Sequence, residues 1–347
     1  MIICFFTRQL SCAHYEWRSD QGSRNLLRRC TQSVGGKTAK CLKKEGYVIK
    51  DSLLFLLLSI IAANSLATAP IADVHIHYKW SQTDVTSPEQ ALAILDQHHV
   101  EFAVIIGTPA ELALDLTNLK PEKFLAVWSP YRTGGDWSGW AYDPSVLERA
   151  RSALASRLYQ GIGELHLIGG FAPKPNSEVI RGLFQLAVWH DVPILLHTEF
   201  SQPDYLIQLC REHPGTRILW AHAGALLKPD QVGKVMSDCP NVWAELSARD
   251  PWRFVNNPVT MADGRLLPQW QSLIERYQDR FMIGSDPVWP VDQMDAWDAA
   301  DTGWQEYARF IGFHRHWLST LDPAIATKIR WDNALNFFRR RHTAAPD

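Results

Sequence analysis

What this 347-residue chain has little of narrows its function before any motif is considered. Basic charge is short over most of its length. Residues 1 to 47 hold nine Lys/Arg against three Asp/Glu, which leaves 26 against 34, a net of −8, for the remainder. A mildly acidic body argues against nucleic acid as a partner. Long apolar runs are missing too. The stretch LLFLLLSIIAA, Leu53 to Ala63, has eleven residues, and a bilayer needs about 20. It fits the apolar core of a secretory signal, with Lys43, Lys44 and Lys50 before it and small residues in NSLATAP after it. Cleavage is expected after Ala67, because Pro70 disfavours cutting after Ala69. No cysteine lies there, so nothing supports a lipid anchor on a cysteine.

Residues 1–47 therefore read as a non-native or disordered extension; Glu45 and Asp51 fit poorly with a signal's basic end. Residues 48–67 read as the signal-like segment, 68–342 as one folded domain and 343–347 as a tail. Export to a periplasm follows; without a working signal the chain would stay cytoplasmic. Cysteine is scarce in the mature part, where only Cys210 and Cys239 remain. Both fall in helix-like stretches, and each is expected as a buried free thiol, with a disulfide left open for an oxidising compartment.

What is present is alternation. From Ile71 onward short apolar runs alternate with amphipathic stretches: IADVHIH, EFAVIIGTP, KFLAVWSPY, QGIGELHLI, VPILLHTEF, RILWAHAG, NVWAELSA and RFMIGSDP. Near-continuous apolar strands separated by helix-length segments are buried on both faces, as parallel strands must be. Eight of them predict a (β/α)8 TIM barrel in a single domain, with a doubly wound open sheet as the competing arrangement.

The strand ends carry the chemistry. In an extended strand His75 and His77 share one face while Val74, Ile76 and Tyr78 take the other. Alone, a His-x-His in a chain with thirteen histidines means little. His314-Arg315-His316 is the internal control: it sits in a helical pattern, where residues two apart do not face one another, and reads as surface. Yet ligand-type residues also close strands four, five, six and eight, at Glu164, His197, His222 and Asp286. A barrel gathers such residues at the C-terminal rim, so together they predict a metal site.

This ordered set resembles the amidohydrolase superfamily, in the amidohydrolase-related branch that also holds the aminocarboxymuconate-semialdehyde decarboxylases. DVHIH, GIGELHL, LLHTE, WAHAG, IGSDP and a closing WDNALNFF around Asn333 carry the resemblance, which covers about Ile71 to Arg340. It implies one or two divalent ions per chain, zinc first. His75, His77 and Asp286 would hold one; His197 and His222 would hold a second, or one of them would turn to polarise the substrate carbonyl. Asp286 is the implied general base for metal-bound water, and His222 the implied second catalytic residue. Glu164 takes the position of a bridging carboxylate that decarboxylase relatives generally lack, so it favours hydrolysis.

Weaker candidates surround these. Arg132 and Arg249 could receive a carboxylate or phosphate of the substrate. Trp80, Trp289 and the GGDWSGWAYDP loop could wall an apolar pocket. Trp128, Trp189, Trp220 and Trp243 read as core, and His166 and Glu199 as pointing away from the site by strand alternation. The expected function is metal-dependent hydrolysis of a C–O or C–N bond (ester, lactone or amide). The alternatives are non-oxidative decarboxylation of a small unsaturated or aromatic acid, and a barrel that binds a ligand without turning it over. The expected partner is a small-molecule substrate, with no nucleic acid, no membrane once the signal is gone, and homo-oligomerisation left open.

Overall fold

A computed structural model of the chain describes residues 69–169, 172–253, 258–290 and 300–339. The expected signal segment, the extension before it and the tail lie outside them. Eight apolar segments form strands: β1 Ile71–Lys79, β2 Val100–Thr108, β3 Phe124–Trp128, β4 Tyr159–His166, β5 Ile194–His197, β6 Ile218–Trp220, β7 Val242–Glu245 and β8 Phe281–Met282. They pair in parallel in chain order in one sheet, with a helix in the connections between them, as parallel neighbours require. Helices Pro88–Gln97, Pro203–Glu212, Pro229–Asp238 and Pro268–Arg276 each begin on a proline, whose missing N–H and preset φ suit a first turn.

β8 comes round to β1. Val74 N donates to Ile283 O at 3.1 Å, Asp286 N to His75 O at 2.7 Å, and Ser285 N to the Asp73 carboxylate at 2.9 Å. The expected (β/α)8 barrel is the fold, and the open sheet is excluded.

Two apolar clusters result. The larger lies between strands and helices; the smaller fills the barrel interior with Ala72, Val74, Val104, Ile106, Val127, Leu195, Leu219 and Met282. Phe337 and Phe338 of helix Asn333–Phe338 close that interior from below. Asn333, from the closing motif, ties this helix to the sheet by donating to Gln278 O at 2.7 Å and Phe281 O at 2.8 Å. Its role is in the floor, not at the rim.

Strict alternation fails in β1. Val74 joins the interior cluster with Ala72, while Ile76 and Tyr78 pack outward. A register shift between Asp73 and Ile76 lets Val74 fill the floor and still turns His75 and His77 inward above it.

Three further expectations are corrected. His314 is buried: its Nε2 faces Gly284 O at 2.9 Å and its Nδ1 accepts from Trp317 Nε1 at 3.2 Å, and only His316 is exposed. The helix was legible, but not which face of it meets β8. Trp189 is 76% exposed at the end of helix Glu178–Trp189, while Trp128 and Trp220 are core. Cys210 and Cys239 are paired in a disulfide with α-carbons 5.8 Å apart. They occupy equivalent places, one at the end of helix Pro203–Glu212 and the other just past its neighbour Pro229–Asp238.

Candidate metal centre

At the C-terminal rim the strand ends bring six predicted side chains together. His75 and His77 from β1 turn their Nε2 atoms towards each other at 3.1 Å. Glu164 at the end of β4 lies between these two and a second pair. Its Oε2 is 3.0 Å from His77 Nε2 and 3.3 Å from His75 Nε2. Its Oε1 is 2.9 Å from His197 Nδ1 and 3.4 Å from His222 Nε2. Asp286, after β8, completes the first group with Oδ1 3.7 Å from His77 Nε2 and 3.9 Å from His75 Nε2. All but His77 are nearly inaccessible. Glu164 can sit there because position 163 is glycine: its φ is +139°, and a Cβ would come within 2.5 Å of Leu195 O.

A buried carboxylate that the strand-end reading missed orients the centre. Glu245, at the end of β7, takes His75 Nδ1 at 3.0 Å, the His222 backbone N–H at 2.8 Å, and the Ser247 backbone N–H and hydroxyl at 2.7 and 3.0 Å. Ser247 Oγ in turn meets His222 Nδ1 at 2.8 Å. With both Nδ1 atoms engaged from outside, His75 and His222 present Nε2 inward. Burial alone would raise the Glu245 carboxyl; His75, its hydrogen bond and His222 bring it down to about 2. The signal for Glu245 was present, since VWAE ends an apolar strand on a carboxylate as the other ligand strands end on theirs. Position 284 is glycine for a related reason: a Cβ there would meet His75 Cβ at 2.6 Å and Glu245 Oε2 at 2.8 Å.

His222 and Asp286 both have left-handed backbones, with φ of 56° and 45°. Such residues persist where surroundings over-determine them. Two buried arginines do this. Arg249 donates to the carbonyls of His222 at 2.7 Å, Ala223 at 2.8 Å and Leu227 at 3.1 Å, with its guanidinium over Trp270. Arg253 donates to the carbonyls of Asp286 and Ser285 and pairs with Asp250 at 2.6 Å. Arg249 is thus fully buried and committed to main chain, which corrects its expected role as a substrate anion receptor. Arg253 was missed because nothing in its sequence context separates it from a loop arginine.

His166 and Glu199 also sit in the centre, not away from it. His166 Nε2 is 3.7 Å from Glu164 Oε2, and Glu199 meets His197 Nε2 at 3.2 Å. The physical reason is the alternation itself: each lies two residues from its neighbour, and residues two apart share a face. Burial, with the neighbouring imidazoles, lowers His166 to about 3 against the pull of Glu164. Of the weaker candidates, Arg132 is exposed beside Asp136, and Trp80 and Trp289 are half-buried.

The donor set fits a divalent ion. Nitrogen and oxygen ligands about 2.0–2.1 Å from a tetrahedral zinc lie roughly 3.3 Å apart, and the separations around Glu164 run from 2.9 to 3.4 Å. The three-residue groups able to hold an ion among the described residues are His75–His77–Glu164, Glu164–His197–His222 and His75–His222–Glu245.

Among solved structures, a Pseudomonas putida protein assigned as a 2-pyrone-4,6-dicarboxylic acid hydrolase superposes with a TM-score of 0.52 at 15% identity, covering 79% of this chain and 99% of that one. A 2,6-dihydroxybenzoate decarboxylase in complex with 2,6-dihydroxybenzoate gives 0.47 at 14%, over 77% and 99%. A zinc-bound amidohydrolase from Burkholderia multivorans gives 0.44 at 16%, over 78% and 99%. At these identities the first likeness speaks for the fold alone. No match was found among curated proteins. The amidohydrolase family profile matches residues 72–340, the whole barrel from β1 through the floor helix. With that span and the ordered strand-end motifs, the chain belongs to the amidohydrolase family.

Proposed function

We propose that the chain is a metal-dependent hydrolase of an ester, lactone or amide. The observation that carries this reading is Glu164 between two histidine pairs, one oxygen facing each. A carboxylate so placed offsets the repulsion of two cations a few ångströms apart. His75, His77 and Asp286 would hold one ion and His197 and His222 the other, with zinc suited to imidazole and carboxylate alike. Such an ion, when bound, supplies Lewis acidity and lowers the pKa of water towards neutrality. The chain's own part falls to Asp286, whose carboxylate takes a proton as water adds to the acyl carbon. The same proton passes to the departing oxygen or nitrogen when the C–O or C–N bond breaks. Trp80 and Trp289 would wall the substrate, and exposed Arg132 would meet an anionic tail. Export is part of the reading, supported by the Cys210–Cys239 disulfide, since such bonds persist in oxidising compartments.

The test is reconstitution of metal-free protein with zinc, counting ions while acid and carbon dioxide release are both followed across an ester, lactone and amide panel. About two ions and acid release are expected; carbon dioxide release or inertness across the panel would overturn the reading. Glu164→Gln should lower the count from about two to about one.

A further inference from the structure

We infer that His166 is an Nε2–H donor to the reacting oxygen of the substrate, its tautomer set by Tyr131. The donor's purpose rests on the proposed hydrolysis; the tautomer does not. Tyr131 follows β3 and is 5% exposed. Its hydroxyl oxygen lies 2.8 Å from the backbone N of His166 and 2.8 Å from His166 Nδ1. The backbone N–H can only donate, so the hydroxyl oxygen accepts it. The hydroxyl's own proton then has one acceptor among the described residues, His166 Nδ1. A buried O–H left without an acceptor would incur a desolvation penalty of about 1–3 kcal/mol. Nδ1 is therefore the acceptor, and the ring's proton stands on Nε2.

That N–H has no hydrogen-bond acceptor among the described residues. Glu164 Oε2 is 3.7 Å away, and the His166 side chain keeps 24% of its surface open beside the His197 ring. A protonated Nε2 cannot ligate a metal, so His166 is no seventh ligand. What it can meet is an oxygen that arrives beside Glu164 with the substrate. During hydrolysis water adds to the acyl carbon and the carbonyl π pair moves onto oxygen. The His166 N–H steadies that charge until the pair returns and the bond to the leaving group breaks. The proton stays on His166 throughout. One donor aimed at such an oxygen contributes about 10²- to 10³-fold in rate.

Nuclear magnetic resonance of the full barrel with ¹⁵N-labelled histidine reads the tautomer directly, the His166 signal being assigned by its loss in His166→Gln. Nε2–H is expected in the wild type, and Tyr131→Phe should release the ring from that single form. A proton on Nδ1, alone or together with Nε2, overturns the inference while leaving the metal reading standing. The second arm uses zinc-loaded protein and methylphosphonate, a tetrahedral anion resembling the addition intermediate. His166→Phe should weaken its binding ten- to a hundredfold at unchanged metal content, and His166→Gln, whose amide N–H reaches a similar point, should recover most of it. Unchanged binding in His166→Phe, no binding to the wild type, or a lower metal content in His166→Phe each overturns the donor role. Absence of acid release by the wild type, by contrast, tells against the proposed hydrolysis and leaves the tautomer result to be read by itself.

Discussion

The two ends of the barrel are made by the same strands, a few residues apart, and hold opposite materials. At the lower end Ala72, Val74, Val104, Leu195 and Leu219 meet Phe337 in an apolar interior. At the upper end the same β1 and β5 present His75, His77 and His197, joined there by Glu164, and β7 adds Glu245. The lower end contributes burial of apolar surface; the upper end places buried polar groups that each need a partner and find one in another. Stability and chemistry are thereby set at different heights along the strands, and each is expected to tolerate a disturbance of the other.

The largest expected effect is at the rim. Asp286→Asn keeps size but removes charge and basicity, and should lower turnover of any substrate found about 10²- to 10⁴-fold, read as kcat, with a thermal midpoint within a few degrees of the wild type. A midpoint that collapsed with activity would erase the distinction between the ends. Next comes the floor. Phe337→Ala removes a ring that is 2% exposed and should destabilise by about 3–5 kcal/mol in denaturant titration, with zinc stoichiometry unchanged. Loss of zinc binding in the folded variant would show the ends to be coupled. Smaller again is Cys239→Ser, which opens a loop with a sequence separation of 29 residues on the outer helices and should remove about 2–4 kcal/mol while sparing turnover at 25 °C. Comparable in stability to the disulfide, but opposite in its effect on turnover, is chelation. It should abolish turnover yet keep a cooperative unfolding transition, because the apolar layers fold without the ion; the shift corresponds to about 3 kcal/mol at a hundredfold excess of ion over its Kd.

The fold and six of the central side chains were legible because they depend on local pattern: apolar runs of strand length, each ending on a ligand-type residue. What was not legible depends on distance between segments far apart in sequence. Glu245 ends its strand as the others do, but only the approach of β7 to β1 and β6 shows that it serves His75 and His222. Arg249 and Arg253 differ from Arg132 only in depth, which a loop sequence does not encode. The pairing of Cys210 with Cys239 needed the helices on adjacent strands to be set side by side. His166 and Glu199 were a different matter, since the period of two already placed them with Glu164 and His197.

The ring of strands is thin where it closes. β7 and β8 pair through two residues each, against seven between β1 and β2, and β8 is tied back to β1 by scattered bonds at Val74, His75 and the Asp73 carboxylate. The side chains of His75 and His77 stand on one side of this seam and Asp286 on the other. An ion shared by them, as proposed above, would be a rivet across the join. Its removal would be felt first as faster amide exchange at Val74 and Asp286, whose N–H groups span the seam, while the amides between β2 and β3 keep their protection.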